Sequence, residues 1–340
     1  MTDKKKITTS LIPIKTNGLI RANYSIFITK KILCGSIEKL FNKAFCLLNS
    51  KELKNSNRNY LVLLETELNH RKKYRYDFEA NTIEDYRKAL SLFKDIISIH
   101  PRHSLSNEMV AICKHKLKDF TGAIFYFTKA IEIEPENSSA YNNRGCAKHN
   151  IKDYEGAIED FTKAIKIDSE YSSAFYNRAN TKHDIKDYQE AIDDFTKAIE
   201  LDPKHTDAYT NRGIAKYDLK YYQEAIEDFT EALKIDSSNP KVYYNRGIAK
   251  RYLKDYEGAI EDYTKAIEIN TKYVSALNDR GIAKRHLKDY SGAIEDYTKA
   301  IKINPNYANA YYNRSLVKNK LGVLIGAIED ELMYEKLIKK

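Results

Sequence analysis

The stretch AYNNRGCAKHNIKDYEGAIEDFTKAIKIDSEYSS, residues 140–173, decides the reading of the whole chain. It recurs at a fixed step. Moving 34 residues at a time from Ala157 lands on Ala191, Ala225, Ala259, Ala293 and Ala327, and moving back lands on Ala123 and Ala89. Eight alanines in phase define a repeat array, in which each unit buries its apolar side only by stacking on its neighbours.

Each unit reads as two helices. Tyr141, Gly145, Ala147 and Ile151 share one helical face, and Lys152 and Asp153 interrupt the pattern. A second helix is predicted from Tyr154 to Ile167, with Ala157, Ile158, Phe161, Ala164 and Ile165 on one stripe. Pro135, Pro203 and Pro305 mark where such helices stop, and Pro101 keeps the phase. Small residues let the paired backbones approach. The aromatic row Phe127, Phe161, Phe195, Phe229, Tyr263 and Tyr297 and the tyrosine row from Tyr154 to Tyr290 fill the gaps.

A 34-residue helix–turn–helix unit with Tyr, Gly, Tyr, Ala, Phe, Ala and Pro at these places resembles the tetratricopeptide (TPR) repeat. The resemblance covers residues 104–340 well and 72–103 weakly. It implies an all-α, right-handed superhelical solenoid. Two rows depart from the family pattern. Arginine stands at an apolar position (Arg144, Arg178, Arg212, Arg246, Arg280, Arg314), and lysine at an aromatic one (Lys148, Lys182, Lys216, Lys250, Lys284, Lys318). Pentatricopeptide repeats have a similar period but lack the Gly–Ala–aromatic–Ala register.

The expected organisation is a basic tail over 1–32, an N-terminal helical segment over 33–71, a degenerate repeat over 72–105 and the array over 106–340. Its units begin at Ser106, Ala140, Ala174, Ala208, Val242, Ala276 and Ala310. The last unit carries Glu331 in the aromatic row and Tyr334 at an alanine position. Its Leu332, Met333, Leu337 and Ile338 are expected to close the array or to mediate self-association.

Composition narrows the function classes. The chain is 42% hydrophobic and 31% charged, with a net charge of +9. Residues 1–77 hold 16 Lys/Arg and 6 Asp/Glu, so the remainder is close to neutral. That argues against a nucleic-acid groove running along the array. No run of 18 apolar residues predicts a membrane span. Four scattered cysteines suit free thiols in a reducing, cytoplasmic setting. Pro13, Lys15 and Asn17 interrupt Leu11–Ile20, which therefore does not read as a signal peptide.

The spacing predicts an amphipathic helix over residues 36–49, with Ile37, Leu40, Phe41, Ala44, Phe45 and Leu48 on one face. It reads as a cap on the open end of the array in preference to a membrane-surface or partner helix. Arg71, Lys72, Lys73 and Arg75, interleaved with Tyr74 and Tyr76, are the candidate polyanion contacts, against the plainer reading of a solvated basic helix face.

By the resemblance, first helices line a concave groove that takes an extended peptide or a helix. Carried onto this chain, the partner groove comprises Tyr176, Asn180, His183, Ile214, Tyr217, Tyr244, Ile248, Arg251, Ile282, Arg285 and Tyr312. Isoleucines form its floor, flanked by the tyrosine and arginine common at binding hot spots. Asn143 and Arg144 also resemble the middle unit of TPR domains that clamp a chaperone's acidic tail. The Asn143 row never becomes arginine, however, and the Asn142 row never becomes lysine.

Each unit also pairs an arginine with an aspartate sixteen residues on, from Arg144 with Asp160 to Arg314 with Asp330. These predict a charge ladder that sets register and, if exposed, adds only about 0–1 kcal/mol per pair. His115, His149 and His183 sit on successive units. Helices stack about 8–10 Å apart, too far for rings that must each approach zinc to about 2 Å. No metal, cofactor or small-molecule substrate is expected, and no catalytic motif is present. The expected function is a non-catalytic protein-interaction scaffold. The alternative is nucleic-acid or anionic-surface binding through residues 1–77.

Overall fold

The computed structural model describes residues 83–99 and 101–339. The helix predicted over 36–49 and the basic cluster at 71–75 lie outside them. The described residues form fifteen α-helices and no strand. Helix α1 spans Ile83–Ile99. α2 (Ser104–Lys116) pairs with α3 (Phe120–Ile133) and α4 (Ser138–Asn150) with α5 (Tyr154–Ile167), and α6 (Ser172–Asp184) and α7 (Tyr188–Leu201) follow in order. Next come α8 (Thr206–Asp218) with α9 (Tyr222–Ile235), α10 (Pro240–Tyr252) with α11 (Tyr256–Ile269), α12 (Val274–His286) with α13 (Tyr290–Ile303), and α14 (Ala308–Lys320) with α15 (Leu324–Ile338). The fold is an all-α helical repeat solenoid. Two compact units divide at Ile185 and Lys186, so α1–α6 belong to the first and α7–α15 to the second.

The turn inside a repeat is set by local chemistry. Lys152 adopts the left-handed conformation (φ 65°), as do Lys118, Lys186, Lys220, Lys254 and Lys288, while Gly322 takes this place in the last repeat. The Lys152 amide bonds to the His149 carbonyl (2.9 Å) and the Asp153 amide to the Lys148 carbonyl (3.0 Å). This is the Schellman arrangement, which satisfies the last carbonyls of the first helix. Asp153 then caps the next helix, its Oδ1 accepting from the Gly156 amide at 3.1 Å. A Cβ at Gly156 would meet that carboxylate at 2.5 Å. The side-chain cap is missing at Asp187, where Glu190 stands in the glycine's place, and in the next repeat, where Tyr221 replaces the aspartate.

Within each unit, packing runs from the second helix of one repeat onto its own first helix and the first helix of the next. In the second unit, Ala225, Phe229, Ala232 and Leu233 of α9 join Val242 and Ala249 of α10 in one buried cluster. The α11 aromatic, Tyr263, fills the space above Gly247: a Cβ there would lie 2.7 Å from the ring. The outer side of α15 is bare, with Leu324, Ile325, Ile328, Leu332 and Ile338 all more than half exposed.

First helices of successive repeats also touch one another: α2 with α4 and α4 with α6 in the first unit, and α8 with α10, α10 with α12, and α12 with α14 in the second. Within each unit no comparable contact joins second helices among the described residues. Helices that approach more closely lie on the inside of a curved stack, so in each unit the first helices form the inner face.

Candidate functional site

The arginine row is buried ion-pair architecture. Arg246 grips Asp262 with two hydrogen bonds, Nε to Oδ2 (2.9 Å) and Nη2 to Oδ1 (2.6 Å), and its Nη1 donates to Thr230 of the preceding repeat (3.1 Å). The same set joins Arg144 to Asp160 and Thr128, Arg212 to Asp228 and Thr196, Arg280 to Asp296 and Thr264, and Arg314 to Asp330 and Thr298. Arg178 donates to Thr162 in the first unit. The lysine row completes the group: Lys250 Nζ lies 2.9 Å from Asp262 and 3.3 Å from the Gly258 carbonyl.

Five rungs of the expected ladder are therefore present, but their aspartates are not exposed. Asp262 is 2% exposed, so the weak surface-pair estimate does not apply. Burial drives the Asp330 carboxyl upward, yet hydrogen bonds from Arg314 and Lys318 and their charges outweigh it and hold that carboxyl below the usual range. These rows tie each repeat to the one before and leave the inner face to other residues.

On that face, the groove residues expected from sequence fall into two groups. Tyr176, Asn180 and His183 lie half-buried on α6 of the first unit. Nearby, the His149 ring pairs with Asp184 (2.8 Å) and the Asn150 amide lies 3.4 Å from the His115 ring, so these histidines make contacts of their own. Among the described residues no group of three His, Cys, Asp or Glu stands together to hold a metal. Cys113 is buried and Cys146 half-buried, both as free thiols, and burial pushes each thiol up to about 12.

The second group lies in the second unit. Ile214, Ile248 and Ile282 are half-buried on α8, α10 and α12, their inner sides against the core. Tyr217 packs edge-on against Tyr252 (5.6 Å between centroids), which stacks on Tyr222 (5.1 Å). Arg251 lies over the Tyr252 ring at 5.2 Å. Arg285 is half-buried on α12, and Tyr312 is exposed on α14 beside Tyr334.

A polar line that sequence reading did not single out crosses this group. Tyr244 donates its hydroxyl to Asp279 (3.0 Å), Asn278 donates to Asp279 (3.0 Å), and Asn313 donates to Asn278 (2.9 Å). Burial pushes the Asp279 carboxyl up, and Arg251, Tyr244 and Asn278 only partly pull it back. The signal was there in the row Asn143, Asn177, Asn211, Asn245, Asp279 and Asn313, where one unit replaces an amide with an acid.

Comparison with known proteins agrees with this architecture. One tetratricopeptide repeat model matches residues 138–171, 172–205 and 240–273, another 107–137, and a further TPR repeat model 215–251 and 281–322. No curated protein matches the sequence. Among solved structures, YrrB, described as a TPR protein with an unusual peptide-binding site, is 23% identical with a TM-score of 0.50, over 54% of this chain and 95% of its own. Pseudomonas aeruginosa pilF is 18% identical with a TM-score of 0.53, over 61% and 94%. A tetratricopeptide repeat protein from Parabacteroides merdae is 17% identical with a TM-score of 0.53, over 72% and 93%. At these identities the likeness is one of fold.

Proposed function

Because this chain belongs to the tetratricopeptide repeat family, we propose that it is a protein-interaction scaffold whose second unit holds an extended peptide or a helix along α8, α10, α12 and α14. The observation that carries this reading is the row Ile214, Ile248 and Ile282: three isoleucines in register on the inner helices, each supported by the core yet still partly open. Aromatic and arginine side chains flank them, as at hot spots where water is excluded. YrrB is a fold relative described as binding a peptide, which is in keeping with this use of the scaffold.

Selection of twelve-residue peptides from a random display library against the full chain tests the reading. Binding is then measured by fluorescence polarisation. Peptides selected on the native protein are expected to bind an Ile214→Glu/Ile248→Glu variant at least about tenfold more weakly, since charges would replace the apolar floor. Unchanged binding by a folded variant would place the contact elsewhere. A second reading rests on the net charge of +10 over residues 1–77: contact with polyanions through that region, recognised by an affinity that collapses with salt and with deletion of those residues.

A further inference from the structure

The last repeat departs from those before it along one turn and one face. Where α11 opens on Asp255, Tyr256 and Glu257, and α13 on Asp289, Tyr290 and Ser291, α15 opens on Val323, Leu324 and Ile325. Asp255 and Asp289 cap their helices, whereas α15 starts without a side-chain cap. Losing a cap lowers stability, and the three aliphatic side chains that replace the polar turn are 51%, 60% and 78% exposed.

The outer face of α15 is not shaped to receive a further repeat of this kind. In the earlier repeats a threonine of the second helix accepts from the arginine of the next repeat, as Thr264 does from Arg280 and Thr298 from Arg314. The same place on α15 is Leu332. Ala232 shares a buried cluster with Val242 and Ala249 of the next first helix, and Ala300 shares one with Ala310 and Val317. That alanine is Tyr334 on α15, and its ring lies against Tyr312, 5.1 Å between centroids. A helix arriving on α15 as α14 arrives on α13 would set its arginine against Leu332 and its backbone against a tyrosine ring.

We propose that this surface is the interface of a homodimer, in which α15 lies antiparallel to α15 of a second copy about a two-fold axis at Ile328. Leu324 and Leu332 stand one helical turn to either side of Ile328, on the same stripe. An axis at Ile328 therefore sets Leu324 of each copy opposite Leu332 of the other, and Ile328 against its mate. Aliphatic groups meet aliphatic groups, with no donor or charge stranded between them. Seven residues beyond the axis in each direction come Glu335 and, at the turn, Leu321 beside Lys320. Each end of the strip thus brings the exposed Glu335 of one copy to the exposed Lys320 of the other. In the single chain Glu335 meets only Lys339 of its own helix, in an exposed pair at 3.1 Å.

The area fits such a contact. Leu321, Val323, Leu324, Ile325, Ile328 and Leu332 are each about half open or more. At on the order of 100 Å² apiece they present roughly 600 Å², the upper end of what a monomer leaves in one apolar patch. Two copies together would cover about 1,200 Å², the lower bound of a specific interface.

Sedimentation velocity of the full chain over about 1–100 μM tests the proposal, and a dimer with a Kd of about 10 μM or tighter is expected. Ile325→Glu/Leu332→Thr puts back residues that other repeats carry at these two exposed places. It is expected to keep the circular dichroism melt of the native chain and to associate at least about tenfold more weakly. Ile328→Cys, in a Cys34→Ser/Cys46→Ser chain, is expected to give a disulfide-linked dimer on mild oxidation with copper phenanthroline. Ile303→Cys in the same chain, exposed at the end of α13 and away from the axis, is not.

A chain that stays monomeric throughout that range would overturn the proposal. So would a dimer indifferent to Ile325→Glu/Leu332→Thr, or cross-linking as strong through Ile303→Cys. Two other occupants have signatures of their own, and either one overturns it. A monomer that binds phosphatidylcholine vesicles, and loses them on Ile325→Glu, assigns the face to lipid. A monomer in which Ile328→Cys closes onto Cys46 of the same chain assigns it to the segment 36–49.

Discussion

Arg246 and Asp262 meet in a two-pronged ion pair across one helix pair, at 2.9 and 2.6 Å, with the carboxylate almost wholly removed from water. The pair also carries Lys250 on the carboxylate and Thr230 of the preceding repeat on the guanidinium. A buried pair of this kind is a stronger constraint than a surface one, because removing either partner leaves the other charged and poorly solvated.

Asp262→Ala is therefore expected to destabilise the protein by roughly 3 kcal/mol, the lower end for broken buried pairs, since Arg246 and Lys250 keep some access to water. Urea denaturation followed by circular dichroism measures it. Replacing Arg246, Lys250 and Asp262 together with apolar residues of similar volume should recover most of that loss, because no charge is then stranded.

Lysine is an unusual choice for a left-handed turn, yet it holds that place in six repeats. The strain is about 1–2 kcal/mol for a residue with a Cβ, against roughly 0.5–1 kcal/mol of extra chain entropy for glycine. Lys254→Gly is expected to raise stability by about 0.5–1 kcal/mol. Unfolding at a matched protein concentration checks it; a loss of stability would mean that the lysine side chain contributes something the turn geometry does not reveal.

Asp279 gives a pH-dependent prediction. Its folded carboxyl lies above the unfolded value because burial outweighs Arg251 and the two hydrogen bonds. A carboxyl raised in this way favours the folded state at low pH and loses that contribution as pH rises through the folded value. Asp279→Asn, the residue of the other units, should thus raise the melting temperature at pH 7, with an advantage that shrinks towards about pH 4.

The period and the helix limits were legible because they are local. Tyr154–Ile167 follows from its apolar stripe and its stop, and the chain repeats the evidence seven times over. The Arg144–Asp160 pairing was legible as two rows moving together. Its burial was not, and neither was Lys148, whose amine reaches both Asp160 and the Gly156 carbonyl only once the two helices are packed. The turn lysines were hidden because nothing in a lysine announces a positive φ. The inner-face residues were reached by analogy with the family, which names positions and not chemistry. Tyr263 and Tyr297 stood in a row already written out, while Asp279, the one acid among the asparagines of its row, was passed over.

The most direct test of the central claim is to see which helices a bound peptide touches. A selected peptide carrying a nitroxide label is bound to the full chain with labelled isoleucine methyl groups, and line broadening is read by nuclear magnetic resonance. The account predicts strong broadening at Ile214, Ile248 and Ile282 on the inner helices, with little at Ile235, Ile269 and Ile303, which are exposed at the ends of second helices. The reverse pattern would contradict it.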